Sequence, residues 1–358
     1  MKKTLVALAV TAFAASASAV TVYENEGTKV DVDGSLRLLL DNSGSRTKDG
    51  NGNETKKARN HTNLKNDGSR FGVRVKHDLS DDLFAFGRLE LRFSSNSKTT
   101  DEFGDVYAHR AYVGLGSKQF GEVSFGRQVT IGDDISQAGF DNTYGVTKTP
   151  LTTSGKSVVR YDYKGIEGLQ VGVDYRFAED RKDGEVVVGK LKSGYGAGVT
   201  YGFDVAQGQS AKVAAGYTRD NYATETSTKH YRDAGMVGGS YTIDSLTLAA
   251  DYGFENDKDG ANRKFTHGLH TGAKYQVTPA VAVYGNYVYL NGKTKESGTT
   301  IEKERSHRFM LGTEYKVHKN VFTFIEGRIQ ETKTYNNAGQ KLSSVKDNAF
   351  GVGLRVHW

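Results

Sequence analysis

The sequence predicts an all-β fold: a transmembrane, antiparallel, up-and-down β-barrel of about 16 strands. Three observations predict it. Apolar residues recur with a period of two along most of the chain, and about sixteen such segments are roughly nine to twelve residues long, the length of a tilted strand that crosses a bilayer. The connectors between them alternate between short and long, as in a barrel whose two ends differ.

Residues 1–19 have the pattern of a secretory signal peptide. They combine a positive start at Lys2 and Lys3, an apolar run over residues 5–15 and an Ala-Ser-Ala cleavage site. The apolar run of roughly a dozen residues is shorter than the ~20 that a spanning helix needs. We therefore predict that this segment is removed and that residues 20–358 form a single barrel domain.

The composition excludes several other classes of protein. No further long apolar stretch occurs, and the mean hydropathy is −0.56, which excludes a helical membrane protein. The chain has 43 Gly and only 2 Pro. The low proline count is expected of strands, because proline cannot donate a hydrogen bond to a β-ladder. The net charge of +6 arises from interspersed basic and acidic residues, so the sequence predicts no nucleic-acid partner.

The alternation separates apolar from charged residues on opposite faces of each strand. In residues 69–79, for example, Val73 and Val75 alternate with Arg74 and Lys76. Inside lipid each unpaired backbone group costs several kcal/mol, so spanning strands must close into a barrel without edges. The apolar face then contacts lipid. The charged face lines a lumen that, at about 16 strands, is too wide for side chains to fill.

The connectors give the orientation of the barrel. About seven short turns alternate with about eight long polar loops, which predicts an even number of strands and places both termini at the short-turn end. The short turns should face the periplasm and the long loops the cell exterior.

One connector, residues 129–156, is much longer than an ordinary loop, and loops of this length are commonly functional. It carries three acidic residues, Asp133, Asp134 and Asp141. It also carries apolar residues that a solvated loop would not need: Ile131, Ile135, Phe140, Tyr144 and Val146. We expect this third loop to fold into the lumen with its apolar side against the wall. The alternative is a long loop exposed at the surface.

Basic residues of the charged face should oppose this loop. They are Arg37, Arg70, Arg74, Arg110 and Arg160. In a dry core such arginines would be costly without partners, whereas in a water-filled lumen they are allowed. Rings of charged side chains select ions in pores, although these arginines could also be merely solvated.

No catalytic or metal-binding pattern appears. Zinc-ligand spacing, a nucleophile-elbow serine and a phosphate-binding loop are all missing. The nine histidines are scattered without the spacing of metal ligands. We therefore expect no cofactor, no metal and no enzyme activity.

Several segments resemble a known family: MKKTLVALAV, GTKVDVDGSLRL, GSRFGV, GEVSFGRQVTIGDD and GVGLRVHW. Together they resemble the major outer-membrane porins of the Pasteurellaceae, which belong to the Gram-negative trimeric general-diffusion porins. The resemblance covers the whole chain. It implies a homotrimer of sixteen-stranded barrels, each with an inward third loop whose acidic residues oppose arginines on the wall.

Within this resemblance, Arg70 in GSRFGV and Arg110 in AHRAYVGLG match the arginine cluster. Lys156 or Arg160 matches the basic position after the loop. The PEFGG turn common in enterobacterial porins is absent here, so the resemblance does not decide which acidic residue narrows the pore.

The C-terminal strand carries an assembly pattern. Leu354, Val356 and Trp358 share one face, and they resemble the terminal signal that the barrel-insertion machinery reads. The alternative is that Trp358 is simply an aromatic residue of the membrane interface.

These inferences converge on a porin of the Gram-negative outer membrane, through which ions and small hydrophilic solutes diffuse passively. Its partners would be outer-membrane lipid and lipopolysaccharide. One alternative is a substrate-specific channel, which should line its lumen with a run of aromatic residues. A surface adhesin or enzyme would need a plugged or narrower barrel, and the sequence has no plug domain.

Overall fold

The computed structural model describes residues 19–59, 61–96, 101–145, 149–183, 186–224 and 228–358. Nearly all of the predicted signal peptide, and Val146 of the third loop, lie outside these ranges. No helix of the described residues is long and apolar enough to cross a membrane.

The described chain forms twenty β-strands and one short 3-10 helix, Ile131–Asp134. The first ten strands are β1 (Val20–Asn25), β2 (Thr28–Asp49), β3 (Glu54–Arg59), β4 (Asn63–Asn66), β5 (Arg70–Asp78), β6 (Leu83–Asn96), β7 (Asp101–Ser117), β8 (Gly121–Val129), β9 (Ser154–Tyr163) and β10 (Leu169–Arg176). The others are β11 (Glu179–Asp183), β12 (Val186–Ala206), β13 (Gln209–Tyr222), β14 (His230–Ile243), β15 (Leu246–Asp259), β16 (Asn262–Gln276), β17 (Val281–Glu296), β18 (Thr299–His318), β19 (Val321–Asn336) and β20 (Lys341–His357).

Sixteen of these strands close into one antiparallel barrel, as the sequence predicted: β2, β5–β10 and β12–β20. Strand β2 closes the ring because its first part pairs with β5 and its longer second part, Ser35–Asp49, pairs with β20. The short strands β1, β3 and β4 pair with β2, and β11 pairs with β12, so they add no further member to the ring.

Several connectors that the sequence suggested were long loops are instead extensions of the strands. Strands β17 and β18 continue through the polar residues 291–304 and meet in a tight turn at Ser297 and Gly298. Both turn residues have positive φ, 47° and 86°, the backbone that two-residue hairpins favour. Polar composition therefore distinguished these residues from the apolar middle of the strands, but it did not reveal that they remain paired.

The third loop identifies the inner face of the wall. Its Ile131 contacts Gly172 of β10, whereas Val171, Val173 and Tyr175, which have the opposite parity, are exposed on the outer surface. Because side chains alternate along a strand, the exposed apolar residues form the outer face and the charged residues the lumen. This is the arrangement that the alternation predicted.

The lumen contains several aromatic side chains that the sequence analysis did not single out. Four of them lie over the glycine paired with them on the next strand: Phe84 over Gly116, Phe86 over Gly114, Tyr284 over Gly312 and Phe324 over Gly353. A Cβ at each glycine would approach the ring to between 2.1 and 2.4 Å. Covering glycines in this way is a known device for stabilising curved sheets. The rings therefore line the wall.

Candidate pore constriction

The third loop enters the lumen directly after β8 and leaves it at Ser154. Its two isoleucines, Ile131 and Ile135, are completely buried. They contact the inner faces of β10, β12 and β13, where glycine replaces the side chains that would otherwise occupy this space. A Cβ on Gly198 would lie 2.8 Å from Ile135 Cδ1 and 2.9 Å from Ile131 Cγ1. The apolar side of the loop thus fits a wall shaped to receive it.

We call the glycines beneath the loop the glycine track. It consists of Gly172, Gly198, Gly216, Gly253, Gly272 and Gly351. Each would place a Cβ within 2.5–2.8 Å of a loop atom, among them atoms of Pro150, Phe140 and the Tyr144 hydroxyl. The track follows the loop from β10 to β20, so the loop crosses most of the lumen along the wall.

Carboxylates on the wall hold the backbone of the loop. Asp251 of β15 accepts hydrogen bonds from the Ser136 hydroxyl at 2.8 Å and from the backbone N–H groups of Gln137 and Ala138 at 3.0 and 2.9 Å. Hydrogen bonds to an ionised acceptor are roughly twice as strong as neutral ones. Asp251 therefore fastens the segment that follows the 3-10 helix.

Glu326 of β19 fastens the far end of the loop. It accepts hydrogen bonds from the backbone N–H groups of Thr143 and Tyr144, at 3.0 and 2.9 Å, and from that of Asn142. The Tyr284 hydroxyl donates a further bond to Glu326 at 2.8 Å. Sequence reasoning missed both anchors. The sequence does contain a signal for each anchor. It is a single acidic residue at a lumen-facing position of a largely apolar segment: Asp251 in LTLAADYGF and Glu326 in VFTFIEGRI.

The three predicted acidic residues of the loop have different environments. Asp134 is paired: it lies 2.6 Å from the Arg160 guanidinium and accepts a hydrogen bond from Gln170 at 3.0 Å. Arg160 is also paired with Asp162, at 2.6 Å. Asp134 and Arg160 thus form a closed ionic contact, and they leave no open gap between opposite charges.

Asp133, the neighbouring acidic residue of the loop, forms no ion pair with any described residue. Burial within the barrel and the adjacent charge of Asp134 raise the pKa of its carboxyl, while Arg110, Arg160 and Arg92 act in the opposite direction. Asp133 therefore experiences the positive charges of the opposite wall without contacting them.

Asp141 is half-buried near the far end of the loop and likewise has no ion pair among the described residues. Burial, followed by the charge of Glu326, raises the pKa of Asp141 to about 6, although Arg355 opposes the shift. A carboxyl with that pKa changes its charge close to neutral pH.

The opposite wall brings several of the predicted arginines together. Glu90 of β6 lies 3.7 Å from Arg70 and 2.7 Å from Arg92. Arg37 of β2 sits among the positive charges of Arg70, Arg92 and Arg355, and its Nε donates to the Ser35 hydroxyl at 2.8 Å. Sequence reasoning missed Glu90 and Arg92, although both lie in the lumen parity of β6.

Arg110 owes its position to an irregularity in β7. The register between β6 and β7 shifts between Glu90 and Leu91, so an extra residue, His109, lies between Ala108 and Arg110. Such bulges re-aim side chains next to functional sites. The buried Arg110 Nε has no hydrogen-bond partner, and no ion pair involves this guanidinium in the described part of the chain.

Two predicted site residues lie elsewhere. Arg74 of β5 is half exposed and lies 3.8 Å from Asp33, four residues nearer the periplasmic end than Arg70. Lys156 is exposed, and its Nζ donates to the Asp180 carbonyl at 2.7 Å. The register shift between β8 and β9 explains this, because the extra residue turns Lys156 away from the loop acids.

The C-terminus completes the ring of strands. The backbone of Trp358 exchanges two hydrogen bonds with Gly34 of β2, at 3.0 and 3.1 Å, and its indole lies over that glycine. Leu354 and Val356 are exposed on the outer face. The predicted role of these three residues in assembly remains a prediction.

Comparison with known proteins agrees with this geometry. A family model described as Gram-negative porin matches residues 4–354. The chain is 34% identical to the major outer membrane protein of Pasteurella multocida strain Pm70, over the full length of both chains. Among solved structures, OmpT of Vibrio cholerae superposes with a TM-score of 0.68 at 20% identity, covering 95% of this chain and all of that one. An anion-selective porin from Comamonas acidovorans gives a TM-score of 0.59 at 19% identity, over 92% of this chain and all of that one.

The family match and the closed barrel confirm three predictions made from the sequence: the resemblance, the outer-membrane location and the channel function. Proteins of this family are channels, so the expectation that the chain is not an enzyme is confirmed as well. The chain belongs to the Gram-negative porin family and is an outer-membrane diffusion channel.

Proposed function

We propose that the third loop and the arginines of the opposite wall form the constriction of a general-diffusion channel. The observation that carries the proposal is that Asp133 and Asp141 on the loop, and Arg37 and Arg110 on the wall, all lack an ion pair among the described residues. Charges of opposite sign that face each other without contact leave an electric field across the water between them.

The anchoring of the loop explains why these charges stay apart. A free loop could move until Asp133 met an arginine, since opposite charges attract even where water weakens the attraction. Here Asp251, Glu326 and the glycine track fix the loop against the wall opposite the arginine cluster. At one end of the gap the loop meets the wall directly, through the ionic contact of Asp134 with Arg160.

A general channel is favoured over a substrate-specific one. The four lumen aromatic residues that lie over glycines, among them Phe84 and Phe324, form no continuous projecting track. This arrangement favours a channel lined by charged side chains at the proposed constriction.

Ion selectivity tests the proposal, since charges at a constriction set it. Replacing Arg37 or Arg110 with serine should shift the reversal potential toward that of a cation-selective channel. Asp133→Asn should shift it toward that of an anion-selective channel. Lys156→Ser, outside the gap, should leave it unchanged. These shifts should be clear in dilute salt and small at 1 M salt, where the Debye length is about 3 Å. Unchanged reversal potentials in all three gap variants would refute the proposed constriction.

We also infer a homotrimer whose subunits meet through a contiguous sector of the wall. Four strands that follow one another around the ring, β20, β2, β5 and β6, contain no tyrosine, whereas β7, β9, β10 and β12–β19 each contain at least one. Aromatic girdles mark the surface of a barrel that meets the membrane interfaces. A sector without tyrosine, where exposed aliphatic residues such as Leu36 and Leu89 lie beside Phe71 and Phe350, suits contact with another subunit. A trimer form of Vibrio cholerae OmpT has been solved.

A further inference from the structure

The outer face of the barrel carries an unbalanced group of basic residues where β15–β19 extend beyond the membrane. We call it the basic patch. Its members are Lys258, Arg263, Lys293, Lys295, Lys303, Arg305 and Lys333. All have the parity of exposed outer-face residues such as Leu269, Phe309 and Leu311. All five strands lie within the described residues. In the parts that extend beyond the membrane, these five strands direct one acidic side chain to the outer face of the barrel, that of Glu331.

Basic residues of the patch lie directly opposite one another, so their positive charges repel. The strand registers place Lys293 directly opposite Lys303, and Arg305 directly opposite Lys333. Like charges in directly opposite positions destabilise a sheet. Glu331 relieves little of this, because it is shared between Lys333, at 3.1 Å, and Lys346, at 3.7 Å.

The same repulsion recurs on the neighbouring strands. Arg263 of β16 lies directly opposite Lys258 of β15 and Lys295 of β17. The next sector of the barrel is different: there Arg219 of β13 forms an ion pair with Asp233 of β14 at 3.2 Å. Uncompensated positive charge is thus a property of β15–β19, and an external anion would relieve it.

A layer of aromatic side chains lies just below the patch on the same face. Tyr287 and Phe309 have ring centroids 4.6 Å apart, and the Tyr287 hydroxyl lies 2.8 Å from His307 Nδ1. Such layers lie at the level of the lipid headgroups. Lys293 and Arg305 lie two to four residues beyond Tyr289 and His307, which is roughly 7–13 Å along a strand. The basic patch is therefore at headgroup height, above an apolar wall.

We propose that the basic patch binds a phosphorylated glycolipid of the outer leaflet. Its phosphates would bridge the opposed basic pairs, its sugars would lie against the aromatic layer and its acyl chains would cover Leu269 and Leu311. The proposal rests on the outer-membrane location of the chain and is independent of the proposed constriction. It assigns the outer-leaflet lipid to one sector of the barrel.

Thermal unfolding of the folded protein in non-ionic detergent tests this proposal, because a ligand that binds only the folded state raises its stability. Bis-phosphorylated lipid A should raise the midpoint of unfolding more than dephosphorylated lipid A does. Inorganic pyrophosphate should have little effect, because it lacks the acyl chains. An equal effect of pyrophosphate would indicate a site for soluble phosphate and would overturn the lipid assignment.

Two variants locate the site. The double variant Lys293→Ser/Lys303→Ser should need roughly tenfold or more bis-phosphorylated lipid A for the same shift, since each basic residue near an anionic lipid contributes measurably. The control Lys164→Ser/Lys319→Ser removes two charges from the periplasmic turns and should respond like the wild type. Equal responses of both double variants would overturn the proposal.

Reversing one charge distinguishes loss of lipid binding from loss of protein stability. Lys293→Glu creates an attractive pair with Lys303, so the lipid-free protein should be at least as stable as the wild type while its response to lipid A falls. A full response to lipid A in this variant would contradict the proposal. Single-channel conductance should be unchanged in every patch variant, so failure here is distinguishable from failure of the constriction.

Discussion

At the scale of single residues, the acidic side chains of the third loop differ more than the sequence suggested. The sequence predicted that Asp133, Asp134 and Asp141 would all face the lumen, but it could not predict that Asp134 is neutralised by Arg160. That contact depends on the path of the loop between two strands, which no local pattern encodes. The outward direction of the Lys156 side chain could not be predicted either, because a one-residue register shift reverses the direction of a side chain.

Asp141 should make the selectivity of the channel depend on pH. Its pKa is raised to about 6 by burial and by Glu326, so the carboxyl is mostly ionised at pH 7 and mostly neutral at pH 5. Lowering the pH therefore removes a negative charge from the gap and should shift the reversal potential toward anions. Because the raised pKa favours the neutral form in the folded state, this group stabilises the fold below its ordinary pKa, and that contribution is lost as the pH rises through 6.

Asp141→Asn tests this assignment. The variant should lose a large part of the pH response between 7 and 5 and should be slightly more stable than the wild type at pH 7. If the variant keeps the full pH response, other titratable groups of the lumen cause it.

At the scale of elements, alternation alone was enough to predict the strands, their outer faces and the closed barrel. It could not predict how the third loop is held. That depends on glycines and carboxylates scattered over β10–β20, which meet only after the barrel has closed. The same limit applies to β17 and β18, whose polar outer halves were expected to be loop because composition does not show backbone pairing.

The glycine track predicts the effect of filling the space beneath the loop. A leucine at position 198 would collide with Ile131 and Ile135, so the loop should leave its place and single-channel conductance should rise. Gly202→Leu is the matched control. Gly202 also faces the lumen from β12, but its Cβ would have no neighbour closer than 3.9 Å. Equal conductance of the two variants would show that the track does not position the loop.

At the scale of the whole molecule, the outer surface is divided into sectors with different surroundings. Strands β20, β2, β5 and β6 lack tyrosine, which suits contact between subunits, whereas the remaining sector carries tyrosines and the basic patch. Composition predicted a membrane barrel but not this division, because neighbouring strands such as β2 and β20 are far apart in the sequence.

The division predicts opposite results for two matched substitutions on the outer face. Leu89 of β6 and Val173 of β10 are 45% and 47% exposed in the single chain. Leu89→Lys should convert trimers in detergent to monomers, because it buries a charge between subunits. Val173→Lys should leave the trimer intact, since it faces detergent. Native mass spectrometry distinguishes the two, and loss of trimers in the Val173 variant alone would place the interface elsewhere.

The proposed constriction requires that the third loop narrow the pore and carry Asp133 into the path of solutes. The chain has no cysteine, so Asp133→Cys creates a unique site for a bulky thiol reagent. Single-channel recording during modification tests this requirement. The current should fall in one step per subunit as the reagent attaches. An unchanged current, with complete modification shown by mass spectrometry, would mean that Asp133 lies outside the conducting path.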